Sequence, residues 1–319
     1  MKKWLAYGLI CMLLLALSGC GSAGKSAAPK VDTIHISYVK LPLNVPSIVE
    51  KKQGLFEQEF GRDNIKVEFP EITEGPKMTE ALAAGSLDFC NALGGTSAIL
   101  AAANGVDLKI IGIYSRAPKA FTIMARDPQI KTTADLRGKK VAGPKGTILH
   151  QLLLASLTKA GMTADDAAFI NMGIPQGMAA MFSGNVDAAL VAGPAVPKAL
   201  AGGAHILTTG EGLLDATIVI AVSNKFLTEH PDLVKRYMQV HQQSLQYIQQ
   251  QPEEVYQMAA EETGIGVEDV RNMVSWYDFN PAITSADVED LEKTQEFLLQ
   301  NGMLTQKVEL KRLISDLTK

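Results

Sequence analysis

The chain has 319 residues, 47% hydrophobic and 20% charged, the balance of a globular protein with room for one large or two medium domains. Its 30 Lys and Arg against 34 Asp and Glu give a net charge of −4 with no basic block, which argues against a nucleic-acid partner. The one strongly apolar run, at the N-terminus, falls short of the about 20 residues a membrane-crossing helix needs.

In chain order, Lys2-Lys3, an apolar run over residues 4–17 and a small-residue cleavage site form the three parts of an export signal. The cleavage site reads Leu17-Ser18-Gly19-Cys20. These four residues resemble the lipobox of bacterial lipoproteins. The resemblance implies removal of residues 1–19, acylation of Cys20 and a lipid anchor on the outer face of the cell membrane. Two acyl chains on one residue anchor durably, where one holds marginally. Residues 20–30 are small and polar beyond the cysteine and read as a flexible tether. Cys11 leaves with the signal and Cys20 carries lipid, so Cys90 is alone and no intrachain disulfide can form. Within Leu87-Asp88-Phe89-Cys90 it reads as a buried inert thiol, not a nucleophile.

Short β-like runs follow at 33–39, 65–69, 87–91, 108–114, 121–125, 140–142, 168–172, 188–192 and 217–222. Apolar helical segments, such as 97–103 and 148–160, lie between most of them, which predicts an α/β architecture with largely parallel sheets. From Pro231 onward the chain reads as helical, with Leu233, Tyr237, Val240, Leu245 and Ile248 at helical spacing.

Two of these units look like copies. EGPKMTEALAAGSLDFCNALGG (74–95) and GIPQGMAAMFSGNVDAALVAGP (173–194) match at an offset of 99 residues. Pro76 pairs with Pro175, Ala81 with Ala180, Gly85 with Gly184, Asp88 with Asp187 and Gly94 with Gly193. Each is a Pro-containing turn, a helix ended by Gly, a strand entered through Asp and a Gly turn. Two related lobes offer a cleft, and ligands of open α/β sheets lie beyond the carboxyl ends of strands. The loops placed there carry Leu43, Asn44, Gly75, Pro76, Gly95, Thr96, Ser97, Lys145, Gly146, Thr147, Pro175, Gly193 and Pro194.

Thr96, Ser97 and Thr147 sit at helix starts, where unpaired N–H groups and about half a positive charge favour anions. Facing one another they would hold a small oxyanion, with Lys145 and Arg116 adding positive charge; plain helix capping is the competing role. His150, one turn further on, either reaches the cleft or is a partly buried structural histidine. Gly143-Pro144-Lys145-Gly146-Thr147 lacks the ending of a phosphate-binding P-loop. The histidines have no metal-ligand spacing, and no catalytic elbow or carboxylate pair stands out, so neither metal, cofactor nor catalysis is expected.

The sequence is similar to the substrate-binding lipoproteins of ABC importers in the sulfonate, taurine and nitrate group, which also includes binders of thiamine-pyrimidine precursors. The likeness is carried by Lys52-Gln53-Gly54-Leu55-Phe56, Gly85-Ser86-Leu87-Asp88-Phe89, the run from Thr133 to Ala142, Lys145-Gly146-Thr147 with His150, Gly184-Asn185-Val186-Asp187-Ala188, and Lys225-Phe226-Leu227 with His230-Pro231. It implies a two-lobed periplasmic-binding-protein-like fold of type II, each lobe a mostly parallel sheet flanked by helices. Residues 31–116 and 221–319 would form lobe one and 117–220 lobe two, with hinge crossings near 115–122 and 217–222. It further implies a monomeric receptor that captures an anionic solute, delivers it to an ABC permease and its ATPase, and catalyses nothing. Such binders often carry Trp-Asp-Pro where this chain has Ala192-Gly193-Pro194, so taurine itself is not expected. A pyrimidine or nitrate-type ligand and an enzyme on the same fold are the alternatives; the export signal speaks against the enzyme.

Overall fold

The computed structural model describes residues 29–315 and Leu317. The export signal, Cys20 and all of the tether except Pro29 and Lys30 lie outside the described residues.

Within the unit Val31–Lys319, strands and helices alternate first, and helices alone follow. The chain opens with β1 (Thr33–His35), α1 (Val45–Lys52), α2 (Leu55–Phe60), β2 (Lys66–Glu68), α3 (Gly75–Ala83), β3 (Phe89–Gly94), α4 (Gly95–Ala103) and β4 (Leu108–Arg116). Next come β5 (Phe121–Ala125), β6 (Lys140–Gly143), α5 (Ile148–Lys159), β7 (Ala168–Asn171), α6 (Ile174–Phe182), β8 (Ala188–Ala192), α7 (Ala195–Ala201) and β9 (His205–Thr209). After β10 (Thr217–Ser223) come α8 (Asn224–Glu229), α9 (Pro231–Gln250), α10 (Pro252–Thr263), α11 (Val267–Val274), α12 (Ser285–Gln300) and α13 (Leu310–Leu313).

Two sheets divide the strands. One has the order β3-β10-β4, and the other β7-β6-β8-β5-β9. The parallel pair β1-β2 joins the first through a bridge between Ile36 and Phe89. Strands linked through a helix run parallel, as β6 does with β7 and β8. Beside the crossings the pairing is antiparallel, with β10 against β3 and β4 and β5 against β8 and β9. The sheets are therefore mixed, with fewer parallel pairs than the alternation predicts. The chain leaves the first sheet between β4 and β5 and returns between β9 and β10. Residues 217–222, read as a β-like run near the second crossing, form the central strand of the first sheet, where a buried apolar run satisfies its backbone between two partners. β9 was not expected, since HILTT is an edge strand without alternating burial.

The internal copies superimpose in their details. α3 and α6 end at Gly85 and Gly184, with φ of 72° and 76°, a left-handed region that glycine enters without steric cost. Asp88 then accepts a hydrogen bond from the His35 N–H at 2.8 Å, and Asp187 from the Lys140 N–H at 2.7 Å. The first carboxylate thus clips the entry of β3 to the end of β1, and the second the entry of β8 to the start of β6.

The core of the first lobe is tied by an aromatic stack. Tyr237 of α9 lies between Phe56, at 4.9 Å, and Phe89, at 4.1 Å between ring centroids. Cys90 is fully buried beside it, and burial pushes its thiol up to about 12, which makes it inert as expected. Less legible is Glu50, fully buried on α1. Its carboxylate lies 2.7 Å from His241 Nδ1 and accepts from Ser244 Oγ at 3.2 Å and Asn91 Nδ2 at 3.1 Å. A buried charge persists only when so satisfied. Glu50→Ala strands the buried His241 ring, while Asn91 and Ser244 each keep one partner, and urea unfolding is expected to show a loss of about 3 kcal/mol.

Candidate functional site

Helices α3, α4, α5 and α6, two from each lobe, start at one cavity of about 550 Å³. Their N-cap residues are Glu74, Gly94, Thr147 and Gly173, and in none does the side chain cap the helix. First-turn N–H groups have no intrahelical partner, so four partly positive helix ends converge here. Leu41, Ile72, Met78, Phe121 and Ile218 supply apolar wall. The charged lining is balanced: Lys40 pairs with Glu71 at 2.9 Å and Lys77 with Glu74 at 2.8 Å. The hydrogen bonds that the two ammonium groups donate to Glu71 and Glu74 hold both above the usual lysine range. With formal charges cancelled, the helix ends supply the remaining positive field.

Ala92 lines the same cavity at a register irregularity between β3 and β10, with φ of 61°. A side chain in the left-handed region costs on the order of 1 kcal/mol and is found where surroundings over-determine the backbone. Ala92, Lys40, Glu71, Glu74, Lys77 and Gln176 escaped the sequence reading, which followed glycines and hydroxyls. The spacing Glu74-x-x-Lys77 across a helix start was the available signal.

The three hydroxyls neither cap helices nor point unengaged into the cleft. Thr96 Oγ1 donates to Gln151 Oε1 at 2.5 Å, and Gln151 Nε2 donates to Thr294 Oγ1 at 3.1 Å. Ser97 Oγ donates to the Gly146 carbonyl at 2.8 Å, and Thr147 Oγ1 to the Pro144 carbonyl at 2.8 Å. Ser97 and Thr147 still line the cavity; Thr96 does not, being buried in the relay from α4 through α5 to α12. Gly75 lines it too, packed so closely that a Cβ there would sit 2.2 Å from Ser97 Oγ.

Other expected residues fall elsewhere. Pro76, Lys145, Gly146 and His150 border a second cavity of about 930 Å³, beyond the Ser97–Gly146 contact. His150 stacks on Phe169 at 4.3 Å, and its Nδ1 accepts from the Gly146 N–H at 3.4 Å. Burial, with the Lys145 ammonium second, lowers its pKa to about 4, so the ring is neutral near pH 7. Leu43 and Asn44 are buried behind the cleft loop: the Leu43 N–H donates to the Tyr277 hydroxyl at 3.0 Å, and Asn44 Nδ2 to the Val39 carbonyl at 2.8 Å. Gly95 packs on Leu291 and the Thr217 carbonyl. Gly193, with φ of 52°, meets the backbone of Pro42 and Leu43, where a Cβ would lie 2.6 Å from the Leu43 nitrogen. Pro175 lines the first cavity and also a third, which Pro194 borders.

Arg116 cannot serve a ligand. Its guanidinium donates to both carboxylate oxygens of Asp287, at 2.5 and 2.7 Å, to Asp278 at 3.0 Å and to the carbonyls of Asn280 and Ala282 at 3.0 Å. All five donors are engaged. Burial opposes the Asp287 charge, but hydrogen bonds from Arg116 and Thr284 outweigh it and hold the carboxyl below its usual range. Among the described residues no cluster of metal-ligating side chains occurs, and no helix is long and apolar enough to cross a membrane.

The NMT1/THI5 like family model matches residues 43–255. The chain belongs to that family. It is 28% identical over 321 residues to a candidate aliphatic sulfonates-binding protein of Bacillus subtilis (strain 168), covering 99% of this chain and 95% of that protein. The alkanesulfonate-binding protein SsuA of Xanthomonas axonopodis pv. citri, solved bound to MOPS, superimposes with a TM-score of 0.82 at 25% identity, over 91% of this chain and 100% of that one. The periplasmic aliphatic sulphonate binding protein SsuA of Escherichia coli gives 0.75 at 25% identity, over 90% and 93%. The fold of this family member is accordingly the two-lobed α/β fold of periplasmic binding proteins.

Two outcomes follow. Arg116→Met leaves Asp287 without its partner and is expected to lower unfolding stability by about 3 kcal/mol, with solute affinity by calorimetry unchanged. His150 titrates at about 4 folded against 6.5 unfolded, so between those values the unfolded chain binds more protons and stability falls as pH drops. Across that window the loss reaches roughly 3 kcal/mol, and His150→Gln is expected to flatten this limb in urea melts run at stepped pH.

Proposed function

We propose that this protein is the solute receptor of an ABC importer. It captures a small organic anion of the aliphatic sulfonate kind in the cleft between its lobes and delivers it to the permease. The observation that carries this reading is the convergence of four uncapped helix starts on a 550 Å³ cavity whose formal charges cancel. An oxyanion placed there accepts from several main-chain N–H groups at once. The family membership and the two sulfonate-binding neighbours support the same class of solute.

Gly75, Ser97, Thr147 and Pro175 would contact the solute, with Glu74, Lys77 and Gln176 beside them. Closure by hinge motion about the two crossings, between β4 and β5 and between β9 and β10, would present the loaded form to the permease. The protein works as a monomer, exported and lipidated at Cys20, and the tether keeps it beside its transporter on the outer face of the membrane.

A thermal-shift and calorimetric panel of alkanesulfonates, taurine, nitrate, carboxylates and pyrimidines tests the class of solute. Sulfonates are expected to stabilise the protein, and stabilisation by neutral pyrimidines alone would sink the anion reading. In the same panel, Thr147→Asp gives up the hydrogen bond to the Pro144 carbonyl and places a carboxylate in the cavity, so its melting temperature is measured alongside as the check on folding. The variant is expected to weaken anion binding by at least about tenfold.

A further inference from the structure

The third cavity, of about 460 Å³, opens along α6 and shares Lys40, Leu41, Ile174 and Pro175 with the cleft. We infer that it receives an apolar tail of the same solute, so that the favoured ligands are amphipathic: an oxyanion head on an alkyl or aryl chain. This deepens the anion reading of the cleft and rests on it.

The geometry of α6 carries the inference. Ile174, Met178 and Phe182 recur every four residues and so form one stripe along the helix. The stripe begins at the helix start that faces the cleft and runs into the third cavity. An anion held by the N–H groups of that helix start therefore has an apolar track leading away from it, about 12 Å long from residue 174 to 182. That is roughly the reach of an extended octyl chain. Ala195 and Leu41 face the track from α7 and from the first lobe.

The charges at the rim do not compete for the tail's place. Lys198 Nζ donates to the Thr263 carbonyl at 2.7 Å, Lys40 is paired with Glu71, and Glu262 is paired with Lys52 at 3.1 Å. What remains is apolar floor with a methionine at its centre, the side chain best able to reshape around chains of different length. A void lined this way gains by being filled with hydrocarbon rather than water.

The test is a calorimetric series from ethanesulfonate to octanesulfonate on three proteins: the parent chain, Ala179→Trp and Ala179→Glu. Ala179 is exposed on α6 and lines the third cavity, so both replacements obstruct it without touching the core. On the parent chain, affinity is expected to rise about fourfold per methylene while the chain is being buried. Both variants should bind ethanesulfonate as the parent does and lose at least about tenfold of the octanesulfonate gain. A flat series on the parent chain with ethanesulfonate bound overturns the tail site and leaves the anion site standing. A rise that survives in both variants also overturns it. If no alkanesulfonate of any length binds, the anion reading of the cleft falls, and the tail site with it.

Discussion

A hydroxyl has one proton to donate, and at this cleft each of the three candidates gives it to a protein acceptor. Thr96 serves Gln151, Ser97 serves Gly146 and Thr147 serves Pro144. In the proposed anion site recognition would thereby fall to the main chain, whose donors cannot rotate away and whose positions are fixed by the packing of four helices. The close fit of Gly75 against Ser97 sets how near two of those helices come. Affinity for an oxyanion is, on this view, a property of where helices begin, and the side chains are the mortar.

Two of these hydroxyls also join the lobes. Ser97 of α4 holds the loop before α5, and Thr96 reaches Gln151, which reaches Thr294 on α12. Lys198 of α7 adds a tie to the end of α10, and Gly193 allows a backbone approach that any side chain would block. A solute entering between the lobes thus meets a surface whose hydrogen bonds are mutual, and parting the lobes breaks a short list of named contacts. Arg116 lies outside this list: its fork fastens β4 to the segment before α12.

Much of this was legible in the chain. The strands other than β9, the 99-residue offset and the glycine-ended helices follow from local pattern, because each is decided by residues close in sequence. The lines of the cleft were legible too, since Gly-Pro and Gly-Thr turns before helices mark strand ends. What escaped was decided at long range. Arg116 meets Asp287 across 171 positions, and nothing near it in sequence distinguishes a clamp from a ligand group. Lys145 and His150 flank Thr147 closely in sequence, one in the loop and one on α5, yet both line another cavity. Glu50 carries no local signal of burial, and it is fully buried against His241, Ser244 and Asn91 from distant parts of the chain.

Ala92 adds a last consequence. At φ of 61° a glycine would be comfortable, but a glycine would also wander, whereas alanine forfeits a little stability and gives up most alternatives. The cleft wall is therefore set before any solute arrives. If the cleft holds solute as proposed, accommodation of different solutes would fall to the approach of the lobes and to the flexible methionines, Met78 and Met178.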